Sequence, residues 1–236
     1  METVGVDVEV DVAEKGFPGF TIVGLASKAV EEARERVKTA LINSGFDFPP
    51  KKITVNLAPA DLPKDSVAYD LPIAVGILVA SGQLTADRTH YFYGELSLDG
   101  SLRPTRGILL LALYAQKQKN ATIFVPKPSA LEATVVTNIT ILPVETLSKL
   151  AHHLSGITPI APLSHRRRES DEVAAIDFDL AEIAGQEQAK RALVIAAAGG
   201  HNLLLHGPPG AGKTLLAKAL RELLPPLSLP EALEVA

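Results

Sequence analysis

The amino-terminal residues show two hydrophobic periods in succession. Residues 4–12 place valine at every even position and glycine or an acid at positions 5, 7, 9 and 11. This alternation is typical of a half-buried β-strand with one apolar and one acidic face. After a turn at 16–19 and a second strand over 20–23, residues 26–44 carry apolar side chains at helical spacing. Gly45 follows at the position of a left-handed helix cap. The pattern therefore predicts two strands and a helix.

The other side of this predicted helix is densely charged. Its acids and bases alternate through Lys28, Glu31, Glu32, Arg34, Glu35, Arg36 and Lys38. The spacing of Glu32 and Arg36 predicts an i,i+4 ion pair. Mixed charge of this kind favours a solvated helix face over a nucleic-acid-binding surface.

Apolar segments separated by turn residues continue to residue 154. They predict a strand over 53–57, a buried helix over 70–81 capped by Asp70 and closed by Gly82, and a strand over 91–98 that pairs with residues from 102 onward through Asp99-Gly100. A helix over 107–119, strands over 122–125 and 139–142, and a helix over 144–154 follow. Strands and helices interleave without a regular repeat, so we predict an α/β (α+β) domain over residues 1–154.

Residues 155–178 differ from what precedes them. They contain Pro159, Pro162 and the charged run 166–172 with little periodic apolar content, which predicts an interdomain linker. Arg166–Arg168 are followed by three acids within four residues, so a solvated linker fits them better than a phosphate-binding patch. Regular patterning resumes at 179 and predicts a helix over 187–198, a short buried strand over 202–206, a helix over 215–224 and the start of another over 229–236.

Composition narrows the possible classes. Hydrophobic residues make up 47% and charged residues 21%, which is typical of a soluble globular protein. A net charge of −4 argues against a strongly basic nucleic-acid-binding surface, and the absence of cysteine excludes disulfides and thiolate metal sites. No signal peptide is readable, and the longest apolar run, 71–80, is far shorter than the ~20 residues that span a bilayer. We therefore expect a cytoplasmic protein without membrane contact.

The segment 207–214, Gly-Pro-Pro-Gly-Ala-Gly-Lys-Thr, matches the phosphate-binding loop pattern G-x-x-x-x-G-K-[ST] (Walker A) at every fixed position. Its glycines allow successive N–H groups to face an anion, and the following helix adds its positive dipole end. The pattern assigns Lys213 to the β/γ-phosphates and the Thr214 hydroxyl to Mg²⁺. An ordinary Gly/Pro turn does not require this Lys-Thr pair between a strand and a helix. We therefore predict an ATP–Mg²⁺ site formed by Gly207, Pro208, Pro209, Gly210, Ala211, Gly212, Lys213 and Thr214.

The loop lies near the end of the sequence. A phosphate-loop ATPase also needs an acidic strand end that holds Mg²⁺ and activates water. No apolar run ending in Asp or Glu follows Thr214. We therefore expect the nucleotide domain to be cut short, and these 236 residues alone to show no meaningful ATP hydrolysis.

Two blocks of the sequence resemble a known family. Residues 179–186 and 199–214 resemble the magnesium-chelatase-like branch of the AAA+ ATPases. The amino-terminal domain of the ComM/YifB proteins is similar to segments 19–25, 32–37, 43–45, 52–64 and 69–74. The resemblance implies a ribosomal-S5-domain-2-like (Lon-protease-like) domain over 1–154 and the start of an AAA+ module over 179–236, incomplete after the Walker A helix. Family members also tend to carry a little more sequence before the equivalent of Val4.

The same resemblance implies a function and partners. It implies ATP and Mg²⁺ as cofactors and self-association as a hexamer. For the full-length protein it implies ATP-driven helicase action on single-stranded or branched DNA, used for branch migration in natural transformation.

The likeness to Lon raises the alternative of a protease, which the residues disfavour. At the position of the catalytic serine the sequence has Asp70, and a carboxylate cannot replace the hydroxyl in acyl transfer. The helix that would supply the basic partner has Ile108–Leu111 there, with no amine. Ser66 and Lys64 are close in sequence, which alone does not make a dyad. We therefore predict no protease dyad and interpret Asp70 as a helix N-cap.

Two further alternatives remain open. A metal-chelatase motor subunit is disfavoured, since by resemblance such subunits lack a Lon-like domain in front. The adjacent His152 and His153 face different sides of a helix, and His201 and His206 flank a strand, so we expect structural or solvated roles for them. The chain could also act as a non-hydrolytic interaction module. Finding that the reading frame continues past Ala236 into an acidic strand motif would favour the motor.

Overall fold

The structure, a computed structural model, describes residues 3–87, 89–165, 179–225, 227 and 231. The chain divides into two compact units, one within residues 2–168 and one within 169–236. The amino-terminal unit contains β1 (Asp7–Val12), β2 (Gly19–Val23), α1 (Lys28–Glu31), α2 (Ala33–Asn43), β3 (Lys52–Ala58), α3 (Asp70–Ala80), β4 (His90–Phe92), β5 (Glu95–Leu96), β6 (Leu102–Arg103), α4 (Ile108–Gln116), β7 (Thr122–Pro126), β8 (Thr140–Val144) and α5 (Leu147–Leu154). The carboxy-terminal unit contains α6 (Glu187–Gly199) and α7 (Lys213–Leu223).

The first sheet has the strand order β1-β3-β2, with β1 antiparallel and β2 parallel to β3. The predicted alternation of β1 is confirmed, because its valines are half-buried while Asp7, Glu9 and Asp11 are exposed. Val8 lies opposite Leu57 and Glu9 opposite Asn56, whose side-chain amide donates to the Glu9 carboxylate at 2.7 Å. The valines pack against the core, so register and burial agree.

Two helical segments replace the single helix predicted over 26–44. The chain makes a turn at Glu32, which separates α1 from α2. The predicted apolar stripe is nevertheless buried, and Gly45 has the expected left-handed conformation with φ +85°. The stripe joins α3 and the first sheet in the largest core cluster, in which Leu41, Ile53 and Leu71 are fully buried. The stripe is therefore held in place by apolar contacts with distant residues, even though the helix itself is interrupted at Glu32.

The predicted hairpin through Asp99-Gly100 is confirmed, but its first strand does not extend over 91–98 as predicted. His90–Phe92 forms β4 in a parallel sheet of order β4-β7-β8, whereas Glu95–Leu96 forms β5 in a separate antiparallel hairpin with β6. Gly94 lies between them, and its backbone bonds to Ala68 and Leu71 at the start of α3. These bonds redirect the chain from one sheet to the other. The sheet β4-β7-β8 and α4 enclose a second core cluster.

Part of the predicted linker contacts the amino-terminal unit. The Leu163 amide donates to the Ile141 carbonyl at 2.9 Å, and Ile160 packs against the main core. The Ile160 amide also donates to His153 Nδ1 at 2.9 Å. The charged run 166–172, including Arg166–Arg168, lies outside the described residues.

The carboxy-terminal unit is built on a helix pair. Helix α7 packs against α6 through a small cluster containing Leu193, Leu216 and Ala219. The strand predicted over 202–206 is not formed, since no neighbouring strand pairs with it among the described residues of this unit. Its apolar residues still alternate, with Leu203 and Leu205 half-buried and Leu204 92% exposed. A strand needs a partner ladder, which the pattern of one segment cannot supply.

Within the part of the chain that the structure describes, every helix is too short or too polar to cross a membrane.

Candidate functional site

At two positions of the loop 207–214, the backbone has a conformation that only glycine adopts readily. Gly210 and Gly212 lie in the left-handed region, with φ of +82° and +78°. A side chain at either position would strain the backbone. Gly212 is the N-cap of α7, so the helix begins directly at Lys213. The sequence thereby places the free N–H groups of an eleven-residue helix at the edge of the loop.

The Lys213 side chain turns back into the loop. Its ammonium donates to the Gly207 carbonyl at 2.9 Å and to the Pro208 carbonyl at 2.7 Å. A cation is therefore held within hydrogen-bond reach of the loop backbone, next to the positive end of α7. The arrangement concentrates positive charge and donors at one point of the carboxy-terminal unit.

Thr214 occupies the second position of α7. It is exposed, as are Pro208, Pro209 and Gly210. Its hydroxyl is therefore free to meet a ligand held by the loop, and an oxygen ligand of this kind suits Mg²⁺. The donor set of the loop fits a phosphate chain, and the Thr214 hydroxyl fits its metal ion.

Gln186 is a site residue that the sequence reasoning did not single out. Its side-chain amide donates to the Ala211 carbonyl at 2.8 Å, which ties the start of α6 to the loop. Gln186 itself has a left-handed backbone, with φ +57°, and is the N-cap of α6. The only sign of this role in the sequence is the position of Gln186, a large polar residue between Gly185 and the predicted helix. The contact spans 25 residues, so local patterning could not reveal it.

The apolar contacts beneath the loop hold it in place. Leu216 and Ala219 on α7 are buried against Leu193 of α6 and Ile183. The turn before Ile183 is closed by a capping box, in which the Asp179 side chain accepts from the Ala181 amide at 2.9 Å and Glu182 reaches back to the Asp179 amide. The capping box at Asp179 and the packing of α7 against α6 therefore both help to position the loop.

Asp70, which stands at the position of the Lon catalytic serine, forms an ion pair with Arg36 in the amino-terminal unit. Asp70 is fully buried, and Arg36 Nε and Nη2 donate to its two carboxylate oxygens at 2.8 and 3.0 Å. The Leu96 amide adds a third contact at 3.3 Å. Burial raises the pKa of Asp70, while Arg36 and the Leu96 amide oppose that rise.

These contacts correct two predictions. Asp70 is the first residue of α3 and makes no side-chain cap, so its interpretation as an N-cap is wrong. Arg36 pairs with Asp70 and donates to the Ala29 carbonyl, and the predicted Glu32–Arg36 pair is not formed. The hydrogen bond to Asp70 is the largest factor that raises the pKa of Arg36. A buried carboxylate needs a cation, and the tertiary fold supplies this one.

Ser66 and Lys64 have separate partners. The Ser66 hydroxyl accepts from the Ala68 amide at 3.1 Å, which caps the 3₁₀ turn Val67–Tyr69. Lys64 is buried, and its ammonium donates to the Pro59 carbonyl. The two side chains are not hydrogen-bonded to each other in this geometry.

Comparisons with known proteins identify related sequences for both units. A family model described as subunit ChlI of Mg-chelatase matches residues 8–129, and a second, described as magnesium chelatase, subunit ChlI, matches residues 179–236. The chain is 47% identical to the YifB protein of Escherichia coli K12, 46% to the competence protein ComM of Haemophilus influenzae and 41% to a protein of Mycobacterium tuberculosis H37Rv. Each match covers 98% of this chain but only 45%, 46% and 45% of the respective relative, so the chain spans about half their length.

Proposed function

This chain belongs to the magnesium-chelatase ChlI-like family of the ComM/YifB type, and from this membership we propose that its carboxy-terminal unit binds ATP and Mg²⁺ through residues 207–214. The observation that carries the proposal is the position of Lys213. Its ammonium lies within the loop, bonded to the Gly207 and Pro208 carbonyls, at the first turn of α7. An anion that binds there meets a fixed positive charge and free backbone donors.

Each loop residue has a part in the proposed site. Gly210 and Gly212 set the left-handed turns that allow the backbone amides to converge, and Lys213 contacts the terminal phosphates. The Thr214 hydroxyl holds Mg²⁺, which neutralises phosphate charge when bound. Gln186 ties the loop to the start of α6 through its hydrogen bond to the Ala211 carbonyl.

The family also suggests a finer architecture. We infer that the amino-terminal unit has the ribosomal-S5-domain-2-like fold found in Lon protease, and that the carboxy-terminal unit is the start of an AAA+ module. The mixed sheet β1-β3-β2 packed with α2 and α3 supports the first inference. The glycine turn followed directly by α7 supports the second.

For the protein of which this chain forms part, we propose an ATP-driven hexameric motor that acts as a helicase on single-stranded or branched DNA. The relative called competence protein ComM supports this direction. The family models, named for a magnesium chelatase subunit, support a chelatase motor as the second candidate. ATP-dependent unwinding of forked DNA by the full-length polypeptide, lost in Lys213→Ala, supports the helicase. Hydrolysis that DNA neither stimulates nor requires would favour the chelatase.

Nucleotide binding is tested by titrating the chain with a fluorescent ATP analogue in Mg²⁺. Lys213→Ala removes a charge-assisted contact of ~1.5–3 kcal/mol, so affinity should fall about ten- to a hundredfold. Lys218→Ala is the matched control, since Lys218 is an exposed lysine on the same helix and should bind as the parent does.

The metal ligand is tested in the same titration. Thr214→Ala should weaken binding in Mg²⁺ and change it little in EDTA, whereas Thr214→Ser keeps the hydroxyl and should retain the metal effect. Equal affinity of Lys213→Ala and the parent would show that residues 207–214 are not the site.

A further inference from the structure

The segment 157–163 follows α5 and leads from the amino-terminal unit towards the carboxy-terminal unit. Helix α5 ends before Gly156, whose left-handed backbone, with φ +73°, turns the chain. The Ile157 and Thr158 amides then donate to the His152 carbonyl at 2.8 and 3.2 Å, which satisfies the end of the helix. Beyond this turn the segment depends on contacts with the rest of the amino-terminal unit.

Few groups hold the segment in place. Pro159 and Pro162 have no N–H to donate. The Ile160 amide donates to His153 Nδ1 and the Leu163 amide to a carbonyl of β8, both at 2.9 Å. Ile160 and Leu163 also pack against the two core clusters, whereas the other residues of the segment are exposed. The bond to His153 is therefore a large part of what docks the segment.

This bond exists in only one protonation state of His153. A neutral imidazole has one N–H and one bare nitrogen, and the bare nitrogen is Nδ1 here because it accepts from the Ile160 amide. A protonated imidazole has an N–H on both nitrogens and no acceptor. Two donors would then face each other, so a protonated His153 is incompatible with the docked position of Ile160.

A second histidine lies beside His153. The His153 and His90 rings both pack edge-on against Phe124, with centroid distances of 5.6 and 5.2 Å. Burial lowers the pKa of His90, Asp87 opposes that shift, and His153 adds to it. The two imidazoles therefore interact electrostatically, and a charge on one disfavours a charge on the other.

The charged groups on and near α5 are already paired or exposed. His152 is exposed, and Lys149, one turn before His153, bonds to Glu145. Lys127 contacts the same carboxylate, and the two ammonium groups lower the pKa of Glu145 to about 2. This cluster therefore keeps its charges between pH 7.5 and 5.

The neighbouring strands add no group that titrates in this range. Strands β7 and β8 and the segment 157–163 contain no ionisable side chain. Tyr91 of β4 has a pKa raised mainly by burial, so it stays neutral. Among the described residues around the bond, histidines are thus the groups that take up protons as the pH falls from 7.5 to 5.

We propose that the segment 157–163 is a pH-sensitive latch, docked on the amino-terminal unit while His153 is neutral and released when His153 takes up a proton. The proton binds at Nδ1 and displaces the Ile160 amide, which leaves the Leu163 bond and two half-buried side chains to hold the segment. After release, the part of the chain that is fixed to the amino-terminal unit ends at α5. The latch does not depend on the proposed nucleotide site.

The direction and size of the effect follow from proton linkage. Only the released state accepts the proton, so docking is strongest above the usual histidine pKa of ~6.5 and weakens as the pH falls below it. At pH 5 an ordinary histidine would weaken docking about thirtyfold. The charge on His90 opposes protonation of His153, so we expect a loss of at least about tenfold.

Hydrogen exchange of the full 236-residue chain, followed by NMR at pH 7.5 and 5, tests the proposal. Each rate is divided by the intrinsic rate of an unstructured amide at the same pH, which gives a protection factor. Protection of the Ile160 and Leu163 amides should fall at least about tenfold at pH 5, while protection in the core helix α3 should not change.

Two variants of His153 separate the acceptor from the proton. His153→Asn keeps an oxygen acceptor near the position of Nδ1 but cannot be protonated, so the segment should stay protected at both pH values. His153→Phe keeps a ring against Phe124 but has no acceptor, so protection should be low at both. Circular dichroism shows whether each variant is folded.

The other two histidines provide the controls. His152→Asn changes the exposed neighbour on α5 and should keep the pH response of the parent. His90→Asn removes the charge that opposes protonation of His153, so release should occur at a slightly higher pH.

Several results would overturn the proposal. In the parent, they are protection of Ile160 that is equal at the two pH values or absent at both. A pH response that His153→Asn retains, or that His90→Asn or His152→Asn abolishes, would assign the response to another group. A folded His153→Phe variant as protected as the parent at pH 7.5 would show that the bond does not dock the segment.

Discussion

The two units place their polar groups by contacts of different sequence range. In the amino-terminal unit Arg36 and Asp70, 34 residues apart, meet only when α2 and α3 pack together. In the carboxy-terminal unit Lys213 reaches Gly207 across six residues, within one glycine turn. A local contact forms when its own segment folds, whereas a distant contact requires the whole core. The geometry of the loop 207–214 therefore depends largely on its own residues, whereas the buried ion pair depends on the fold around it.

The units also differ in how completely they cover apolar side chains. Phe124 is fully buried in the amino-terminal unit and stacks on Phe92 at 4.8 Å. The carboxy-terminal unit has a much smaller core cluster, and Ile195 and Leu204 are 55% and 92% exposed. Stability is therefore expected to reside mainly in the amino-terminal unit.

The sharpest test of this contrast is Phe124→Ala. We expect it to lower the free energy of unfolding by about 3–5 kcal/mol, because it leaves a cavity in the core. Leu204→Ala is the control from the other unit and should change stability by no more than ~0.5 kcal/mol. Urea unfolding monitored by circular dichroism measures both. A loss below ~1 kcal/mol for Phe124→Ala would show that stability does not reside mainly in the core of the amino-terminal unit.

The long-range ion pair gives the next largest expected effect. Arg36→Ala leaves the Asp70 carboxylate buried without its cation and should cost about 2–4 kcal/mol, reduced from a fully buried case because Arg36 is 22% exposed. Arg34→Ala, an exposed arginine on the same helix, should be nearly neutral. Combining Arg36→Ala with Asp70→Asn should recover part of the loss. An Arg36→Ala variant as stable as the parent would mean that the pair is dispensable.

Ligand addition should act on one unit only. ATP–Mg²⁺ at about a hundred times its dissociation constant should stabilise the carboxy-terminal unit by ~2.7 kcal/mol. Hydrogen exchange should then slow in α7 and remain unchanged in α3. In Lys213→Ala the same nucleotide concentration should protect α7 far less. Equal protection in both units would show that nucleotide does not act through a local site.

The smallest effect concerns a surface cluster of the amino-terminal unit. The ammonium groups of Lys127 and Lys149 lower the pKa of Glu145 from 4.5 to about 2. A carboxyl with a lowered pKa in the folded state stabilises above pH 4.5, and that stabilisation is lost as the pH falls toward 2. Glu145→Gln should therefore be slightly less stable than the parent at pH 7, with the difference shrinking at pH 2.5 in thermal unfolding.

Glu132→Gln, at an exposed glutamate on the 3₁₀ turn Ala130–Val135, is the control for this pH series. A Glu145→Gln difference that stays constant between the two pH values would contradict the assignment.

Patterns within one element were predictable from the sequence. The valine alternation of β1, the buried stripe of α2 and the left-handed Gly45 follow from periodicity and from the freedom of glycine. The proposed site likewise follows a short pattern, and the structure gives its Gly212 and Lys213 a geometry that fits. Neighbouring residues along the chain carry all of this information.

Features that join distant elements were not predictable. Aspartate often caps the start of a helix, but Asp70 instead pairs with Arg36. Because Asp70 is buried, a cation stabilises its carboxylate more than a backbone cap would. Residues 91–98 read as one strand, yet bonds from Gly94 to the start of α3 divide them between two sheets. Gln186 joins the loop from 25 residues away.

The family, the mixed α/β class and the faces of β1 and α2 could be predicted from the sequence alone, as could the geometry of the glycine turn at which we propose the phosphate site. The partner of Asp70 and the end of β4 depend on the tertiary structure. The reason is physical. Backbone preference and hydrophobic period act between near neighbours, whereas the cost of burying a charge or leaving a strand edge unpaired is settled by whichever residues the folded chain brings alongside.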